Sequence, residues 1–199
     1  MNRSADKDSL RKKLKQVRAL AARGNTKYLT AGIQAQLRKL QAYHGARRIG
    51  VYVNFGHEFP TKFLFDENSK RNKISVIPLI TSFRKKSMRF VHTNQKMIKN
   101  RLGIYEPTTR RFVNTHSVDI IFMPLLGFDP QGSRIGMGGG YYDRHLAFKR
   151  QRRFIKKPYL VGLAYEAQKL DMIECEPWDI SLDAVVTEEK TYLINSALR

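Results

Sequence analysis

The residues Gly132-Ser-Arg-Ile-Gly-Met-Gly-Gly-Gly-Tyr-Tyr-Asp-Arg144 constrain this chain more than any other stretch. They follow Val118-Asp-Ile-Ile-Phe-Met-Pro-Leu-Leu-Gly127, an apolar run whose length and β-branched content read as a buried strand. They lead into Tyr141-Tyr-Asp-Arg-His-Leu-Ala-Phe148, whose apolar spacing is helical. A strand, a glycine loop and a helix start, in that order, suit phosphate. Glycine has no Cβ, so successive backbone N–H groups can turn toward one anion, and a helix N-terminus adds positive dipole. Gly136, Gly138, Gly139 and Gly140 are placed to do this, and Arg134 adds a full charge. Asp143, just past the loop, could hold a magnesium ion riding on the same phosphates. The loop is not a Walker A motif, which ends in Gly-Lys-Ser/Thr, nor a dinucleotide fingerprint opening the chain's first βαβ unit. Arginine, paired tyrosines and an aspartate around the glycines separate it from an ordinary turn.

Upstream, residues 9–23 place Leu10, Leu14, Val17 and Ala21 on one helical face, and Gly24-Asn25 ends that helix. A second helix follows, with Leu29, Ile33, Leu37 and Leu40 spaced alike. Both are basic, but helices covering a sheet have this pattern, and that is the reading adopted over nucleic-acid binding. Arg48–Phe55 alternates and predicts a first strand. A turn through His57 and Glu58 then enters a helix over residues 61–69; by themselves His57 reads as polar surface and Glu58 as a solvated or capping acid. Lys73–Ile80 and Ser87–His92 predict two more strands, joined by the basic turn Thr81–Lys86, which could reach an anionic tail or face water. After the glycine loop, residues 149–157 read as an exposed linker. Tyr159–Glu166 and Ala184–Thr187 predict the last strands. Between these, Asp179 alone would be a turn or capping residue, and Trp178 a core residue. Strands alternating with helices predict an α/β fold: one three-layer domain over 1–199, with a central, mostly parallel sheet flanked by helices.

With 199 residues and 42% hydrophobic content, the chain is long enough for one substantial core. No apolar run approaches a membrane span, and the first ten residues lack the apolar core of a secretory signal, so cytoplasm is expected. The single cysteine, Cys175, leaves no internal disulfide and no cysteine-based zinc site. Lys and Arg total 37 against 17 acids, a net charge of +20 that would attract polyanions of any size. The charges are scattered, and no aromatic–basic stripe of the single-strand-binding kind accompanies them, so nucleic acid is not the expected partner.

Gly127-Phe-Asp-x-x-Gly-x-Arg-Ile-Gly-x-Gly-Gly-Gly-Tyr-Tyr-Asp-Arg144 resembles the signature of the 5-formyltetrahydrofolate cyclo-ligases, also called methenyltetrahydrofolate synthetases. Lys7-Asp-Ser-Leu-Arg11 is similar to the family's N-terminal Lys-x-x-Leu-Arg, whose basic residues contact ATP. The resemblance thereby makes Lys7, Asp8, Ser9, Leu10 and Arg11 nucleotide-binding candidates. It adds Arg134, Ile135, Gly136, Met137, Gly138, Gly139, Gly140, Tyr141 and Tyr142 from the loop. The strand followed by Glu58-Phe-Pro-Thr61 looks like the family's strand and Glu-x-x-Thr, which implies that Glu58 meets the folate head group and Val53 its apolar face. Met137, Gly138, Gly139, Gly140 and Tyr141 are implied to touch the substrate as well. Asp143 and Asp179 are implied to hold Mg2+, with Asp183 as the fallback acid, and Arg134 and Asp143 to act in catalysis. Gly103-Ile-Tyr-Glu-Pro107 and Val161-Gly-Leu-Ala-Tyr-x-x-Gln168 also resemble family segments, whereas Leu79 stands where several relatives carry a basic residue.

The family converts 5-formyltetrahydrofolate to 5,10-methenyltetrahydrofolate with ATP and Mg2+. The N5-formyl group is an amide, a poor electrophile whose oxygen would have to leave as water. Phosphorylating that oxygen gives an activated imidate, which N10 attacks as phosphate departs. Such an enzyme needs alignment and charge neutralisation rather than a dedicated nucleophile. The expected protein is a monomer whose positive field steers ATP and a free or polyglutamylated folate. A sugar-phosphate isomerase or CoA transferase on a related frame would need no ATP, and a nucleic-acid-binding protein would show steep salt dependence.

Overall fold

Strands buried on both faces read as unbroken apolar runs, and three such runs form the middle of this molecule. The computed structural model describes residues 3–93, 97–101, 103, 105–108, 110–151 and 157–194, the side chains of 3–6 and 151 excepted. In chain order the elements are α1 (Arg3–Ala21), α2 (Thr26–Leu37), α3 (Gln41–Gly45), β1 (Arg48–Gly50), α4 (Lys62–Lys70), β2 (Ile74–Ser82) and β3 (Ser87–His92). There follow β4 (Met97–Lys99), β5 (Tyr105–Pro107), β6 (Phe112–Val113), β7 (Ile120–Pro124), β8 (Gly127–Phe128) and β9 (Arg134–Ile135). The chain ends with α5 (Tyr141–His145), α6 (Phe148–Gln151), β10 (Tyr159–Leu163), β11 (Ala184–Val186) and β12 (Thr191–Leu193).

The main sheet is eight-stranded, in the order β12-β11-β10-β7-β1-β2-β3-β6. Its centre, β11-β10-β7-β1-β2, is parallel, and β12 at one edge and β3 and β6 at the other run antiparallel. This is the expected α/β architecture. From β1 the chain moves to β2 on one side, and later returns through β7 on the other. The order therefore reverses between β1 and β7, where open α/β sheets leave a crevice beyond the strand ends.

Alternate residues of β7 serve opposite faces. Ile120 and Phe122 pack with Ile33 and Leu37 of α2, Tyr43 of α3 and Leu64 of α4. Ile121 and Met123 pack with Leu146, Ile180 and Leu182 on the other side. Burying one such side chain stabilises by about 1.5–3 kcal/mol, so both faces hold the sheet in place. Asn25 starts α2 by accepting from the N–H groups of Lys27 and Tyr28. The near end of α1 packs differently: Leu10 and Leu14 meet Leu126, Ile135 and Ile173, which flank the glycine loop. No described helix is long and apolar enough to cross a membrane.

Several boundaries depart from expectation. α1 begins at Arg3, not residue 9, because nothing in 3–8 breaks a helix even though the apolar stripe has not begun. Lys7 and Arg11 thus lie one turn apart on one face. Regular pairing of β1 ends at Gly50, well short of Phe55; the Val51 N–H still bonds to Val76 O at 2.8 Å, and beyond it the chain turns into the crevice. The helix expected from Tyr141 is broken into α5 and α6 around the fully buried Leu146. The expected linker 149–157 begins inside α6, and Lys149 is tied down, donating to Pro158 O and Asp183; residues 152–156 lie outside the described residues.

Candidate active site

A cavity of about 1200 Å³ opens at the C-terminal ends of β1, β2 and β7, at the switch point. One wall is charged and rich in glycine: Lys7 and Arg11 from α1, Arg134 from β9 and the loop Gly136–Gly140, with the acids Asp143, Glu176 and Asp179 among them. The facing wall is apolar and aromatic, with Tyr52, Val53 and Phe55 from the segment after β1, Pro78 and Ile80 from β2, and Tyr105 from β5.

The loop is shaped from behind by its own motif. Asp129, 1% exposed, accepts from the N–H groups of Gln131 and Ser133 through one oxygen and from Ile173 N–H through the other. This closes the β8–β9 hairpin, which delivers Arg134 to the cavity. Gln168 donates to the carbonyls of Leu125 and Leu126 and fixes the segment leaving β7. Gly138 (φ 91°) and Gly140 (φ 65°) occupy left-handed backbone that an L side chain resists. The Arg11 guanidinium lies against Gly138, and its Nε donates to Gly136 O at 3.3 Å.

The charged groups are mutually engaged. Arg134 donates to Ile180 O at 3.2 Å and to Asp143 Oδ1 at 2.8 Å, and Asp143 Oδ1 also accepts the Ile180 N–H at 3.2 Å. Lys7 Nζ bonds Glu176 Oε1 at 3.0 Å and lies 4.0 Å from Asp179 Oδ2. Asp179 Oδ2 accepts the Glu176 N–H at 2.8 Å, so Asp179 caps its own turn while lining the cavity. Across the cavity, Glu58 is only 11% exposed at its side chain; it accepts the Phe55 N–H at 2.9 Å and lies 3.9 Å from Arg18. Burial pushes its carboxyl above the usual range, against the pull of that N–H and of Arg18. The loop bearing Glu58 is pinned by Tyr52 Oη donating to Phe59 O and by Thr61 Oγ1 donating to Tyr52 O. Tyr52 and Tyr142 are pushed up by burial and by Glu58.

Most of the anticipated residues line this one cavity: Lys7, Arg11, Val53, Glu58, the stretch Arg134–Tyr142, Asp143 and Asp179. Asp8, Ser9 and Leu10 do not. On a helix only the face bearing Lys7 and Arg11 can look inward, so Ser9 is exposed, Asp8 pairs with Arg11 at 2.6 Å and Leu10 packs in an apolar cluster. Asp183 is also elsewhere, accepting from Lys149 and the Leu160 N–H. Leu79 is buried among Ile77 and Val91, and its neighbours Pro78 and Ile80 reach the cavity instead. Trp178, expected in the core, is 58% exposed and lines the cavity. Glu106, Glu176 and Arg144 line it without having been site candidates, although Glu106 and Arg144 stand inside two of the sequence motifs; nothing local marks Glu176. Arg18 could have been noticed: it falls one turn after Leu14 on the apolar stripe of α1, yet it is charged, and it is buried.

Among the described residues no group of three His, Cys, Asp or Glu forms a metal site. Asp143 and Asp179 could serve a cation that draws most of its ligands from a bound phosphate and water, as magnesium does.

Sheet, switch-point crevice and two-sided cavity define an α/β enzyme acting on small molecules. The family model of the 5-formyltetrahydrofolate cyclo-ligase family matches residues 3–188. The 5-formyltetrahydrofolate cyclo-ligase of Haemophilus influenzae is 36% identical over 141 residues, covering 69% of this chain and 73% of that one. The 5-formyltetrahydrofolate cyclo-ligase of Mus musculus is 31% identical over 193 residues, covering 92% and 94%. The solved structure of Aquifex aeolicus 5,10-methenyltetrahydrofolate synthetase matches with a TM-score of 0.78 at 28% identity, covering 96% of this chain and 94% of that one. The chain belongs to the 5-formyltetrahydrofolate cyclo-ligase family, a family of ligases.

Proposed function

We propose that this protein cyclises 5-formyltetrahydrofolate to 5,10-methenyltetrahydrofolate at the expense of ATP, with Mg2+, releasing ADP and phosphate. The observation that carries this reading is a single cavity of about 1200 Å³ with two chemically different walls. Pockets for a single drug-sized ligand run from about 300 to 1000 Å³, and this cavity exceeds that range, which favours a nucleotide and a second molecule together. The reaction needs both. Transfer of the γ-phosphoryl group to the formyl oxygen gives an imidate with a good leaving group. N10 then closes the ring, and phosphate leaves with that oxygen.

In this reading Lys7, Arg11, Arg134 and the Gly136–Gly140 backbone hold the triphosphate. Lys7 is a mobile point charge that can leave Glu176 for phosphate, whereas Arg11 is a planar fork already laid along the loop. Glu58, Val53 and Tyr141 hold the folate; a carboxylate suits the adjacent N–H donors of a pterin. Asp143 and Asp179 would hold magnesium, which supplies charge neutralisation between the phosphates. Asp143 is already paired with Arg134, so the pair alone has little net charge to offer a cation. The phosphates must contribute that charge.

The test is to mix the protein with 5-formyltetrahydrofolate and follow near-UV absorbance for the methenyl product. A rise that requires both ATP and magnesium is expected. No rise from folded protein, or a rise without ATP, would overturn the reading.

A further inference from the structure

Arg18 is a costly residue where it stands. It continues the apolar stripe of α1, its side chain is 7% exposed, and its Nε is buried without a hydrogen-bond partner. A methionine or leucine would fill that space without desolvating a charge. The guanidinium reaches toward the cavity's rear in three directions at once. Nη1 donates to the carbonyl of Leu125, just past β7, at 3.2 Å; the same Nη1 lies 3.9 Å from Glu58 Oε1; and Nη2 meets Met137 Sδ, in the glycine loop, at 3.7 Å. Leu125 O is also held by Gln168, so Arg18 is anchored on a fixed point.

We propose that Arg18 is a positioning residue for the folate side of the cavity: it fixes the Glu58 carboxylate from behind and ties it to the end of β7 and to the glycine loop. This rests on the reading that Glu58 meets the substrate. Arg18 itself does not line the cavity, so it acts through Glu58. The groups facing Glu58 are few: Arg18 from α1, Tyr52 from the segment after β1, Tyr142 from α5 and the Phe55 N–H. Both tyrosines are neutral at physiological pH, being shifted upward by burial. Against the upward push of burial, Arg18 is therefore the positive charge that, together with the Phe55 N–H, favours the ionised form of a mostly buried carboxylate, and it holds that carboxylate in place to accept pterin N–H bonds.

Arg18→Met keeps length and bulk but removes the charge. In the ligand-free protein, the carboxyl signal of isotopically labelled Glu58 should titrate at higher pH in this variant. The KM for 5-formyltetrahydrofolate should rise about tenfold while that for ATP changes less than about twofold, and the folate effect should vanish in a Glu58→Gln background. Arg18→Lys, which keeps the charge without the fork, should raise the folate KM by an intermediate amount, about threefold, with the ATP KM unchanged; should Arg18→Met not fold, that folate-specific rise carries the test, and an unchanged folate KM in Arg18→Lys would overturn it. An unmoved Glu58 titration, or an equal loss in both backgrounds, would overturn the proposal. A moved titration with unchanged folate KM in both Arg18→Met and Glu58→Gln would support the coupling while removing Glu58 from the substrate site.

Discussion

At the scale of single residues, Gly136 offers the cleanest separation of fold from function. A Cβ added there meets nothing within 4 Å, and its φ lies outside the left-handed region. Gly136→Ala should therefore leave thermal stability within about a degree of the parent while raising the KM for ATP about tenfold, because only a ligand would feel the methyl group. Unchanged ATP kinetics would place the triphosphate elsewhere. Gly140→Ala should instead cost about 1–2 kcal/mol of stability, because an L side chain is strained at φ 65°, while the Arg144 guanidinium near the added Cβ can swing aside. Trp178 is the only tryptophan and stands exposed in the cavity beside Asp179. Titrating Mg-ATP should shift or quench its emission, and an unresponsive spectrum would put Trp178 out of ligand reach. Asp143→Asn keeps an acceptor for the Ile180 N–H but drops the charge; turnover should fall about 100-fold or more with the fold intact. A turnover near that of the parent would remove Asp143 from the site.

At the scale of elements, the sheet is fastened at the end opposite the cavity. Asp119, just before β7, accepts from the N–H groups of Arg47 and Arg48 and from Lys157 Nζ, and so clamps β1 and the entry to β10 to β7. Burial opposes its charge, but the hydrogen bonds from Arg48, Lys157 and Arg47 win, and its carboxyl is held below the ordinary 3.8. A depressed folded value means the stabilisation is present above the ordinary carboxylate range and lost as pH falls through the folded value. Asp119→Asn should cost about 1 kcal/mol at neutral pH. The difference from the parent should close in acid, as denaturant unfolding across pH would show. A gap that persists in acid would mean that shape, not charge, does the fastening.

Elements also show why some of the site was readable and some was not. The glycine loop announces itself because positive φ and close backbone approach are local demands that only glycine meets. Val53 and Glu58 carry no such mark: a valine in a strand and a glutamate before a helix are ordinary, and only resemblance to a family singled them out. Asp8, Ser9 and Leu10 came with their motif, and helical geometry then separated them from Lys7 and Arg11. Trp178 and Glu176 depend on where a loop beyond β10 comes to rest, which is tertiary information. The short β1 is similar, since its alternating pattern runs on to Phe55 while its sheet neighbours diverge at the crevice.

For the whole molecule, the dominant property is a net charge of +20 with an isoelectric point near 10.3. Both proposed substrates are anions, and a positive field around the cleft raises encounter rates in a way that salt screens. kcat/KM for ATP should fall several-fold between about 0.05 and 0.5 M ionic strength, with kcat less affected. A flat profile would leave the excess charge without a part in substrate capture. The α/β class itself was legible from the alternation of strand and helix patterns. The positions of β6 and β12 as antiparallel edges were not, because short edge strands carry no pairing direction in their sequence; the direction of β3 follows from a turn after β2 too short for a parallel crossover.

One experiment decides most directly whether ATP and folate meet in this cavity as proposed. 5-Formyltetrahydrofolate labelled with oxygen-18 in the formyl group is turned over with Mg-ATP, and the released phosphate is analysed by mass. Phosphoryl transfer to the formyl oxygen predicts one labelled oxygen in each phosphate released with the methenyl product. Unlabelled phosphate, with the label recovered in water, would contradict it.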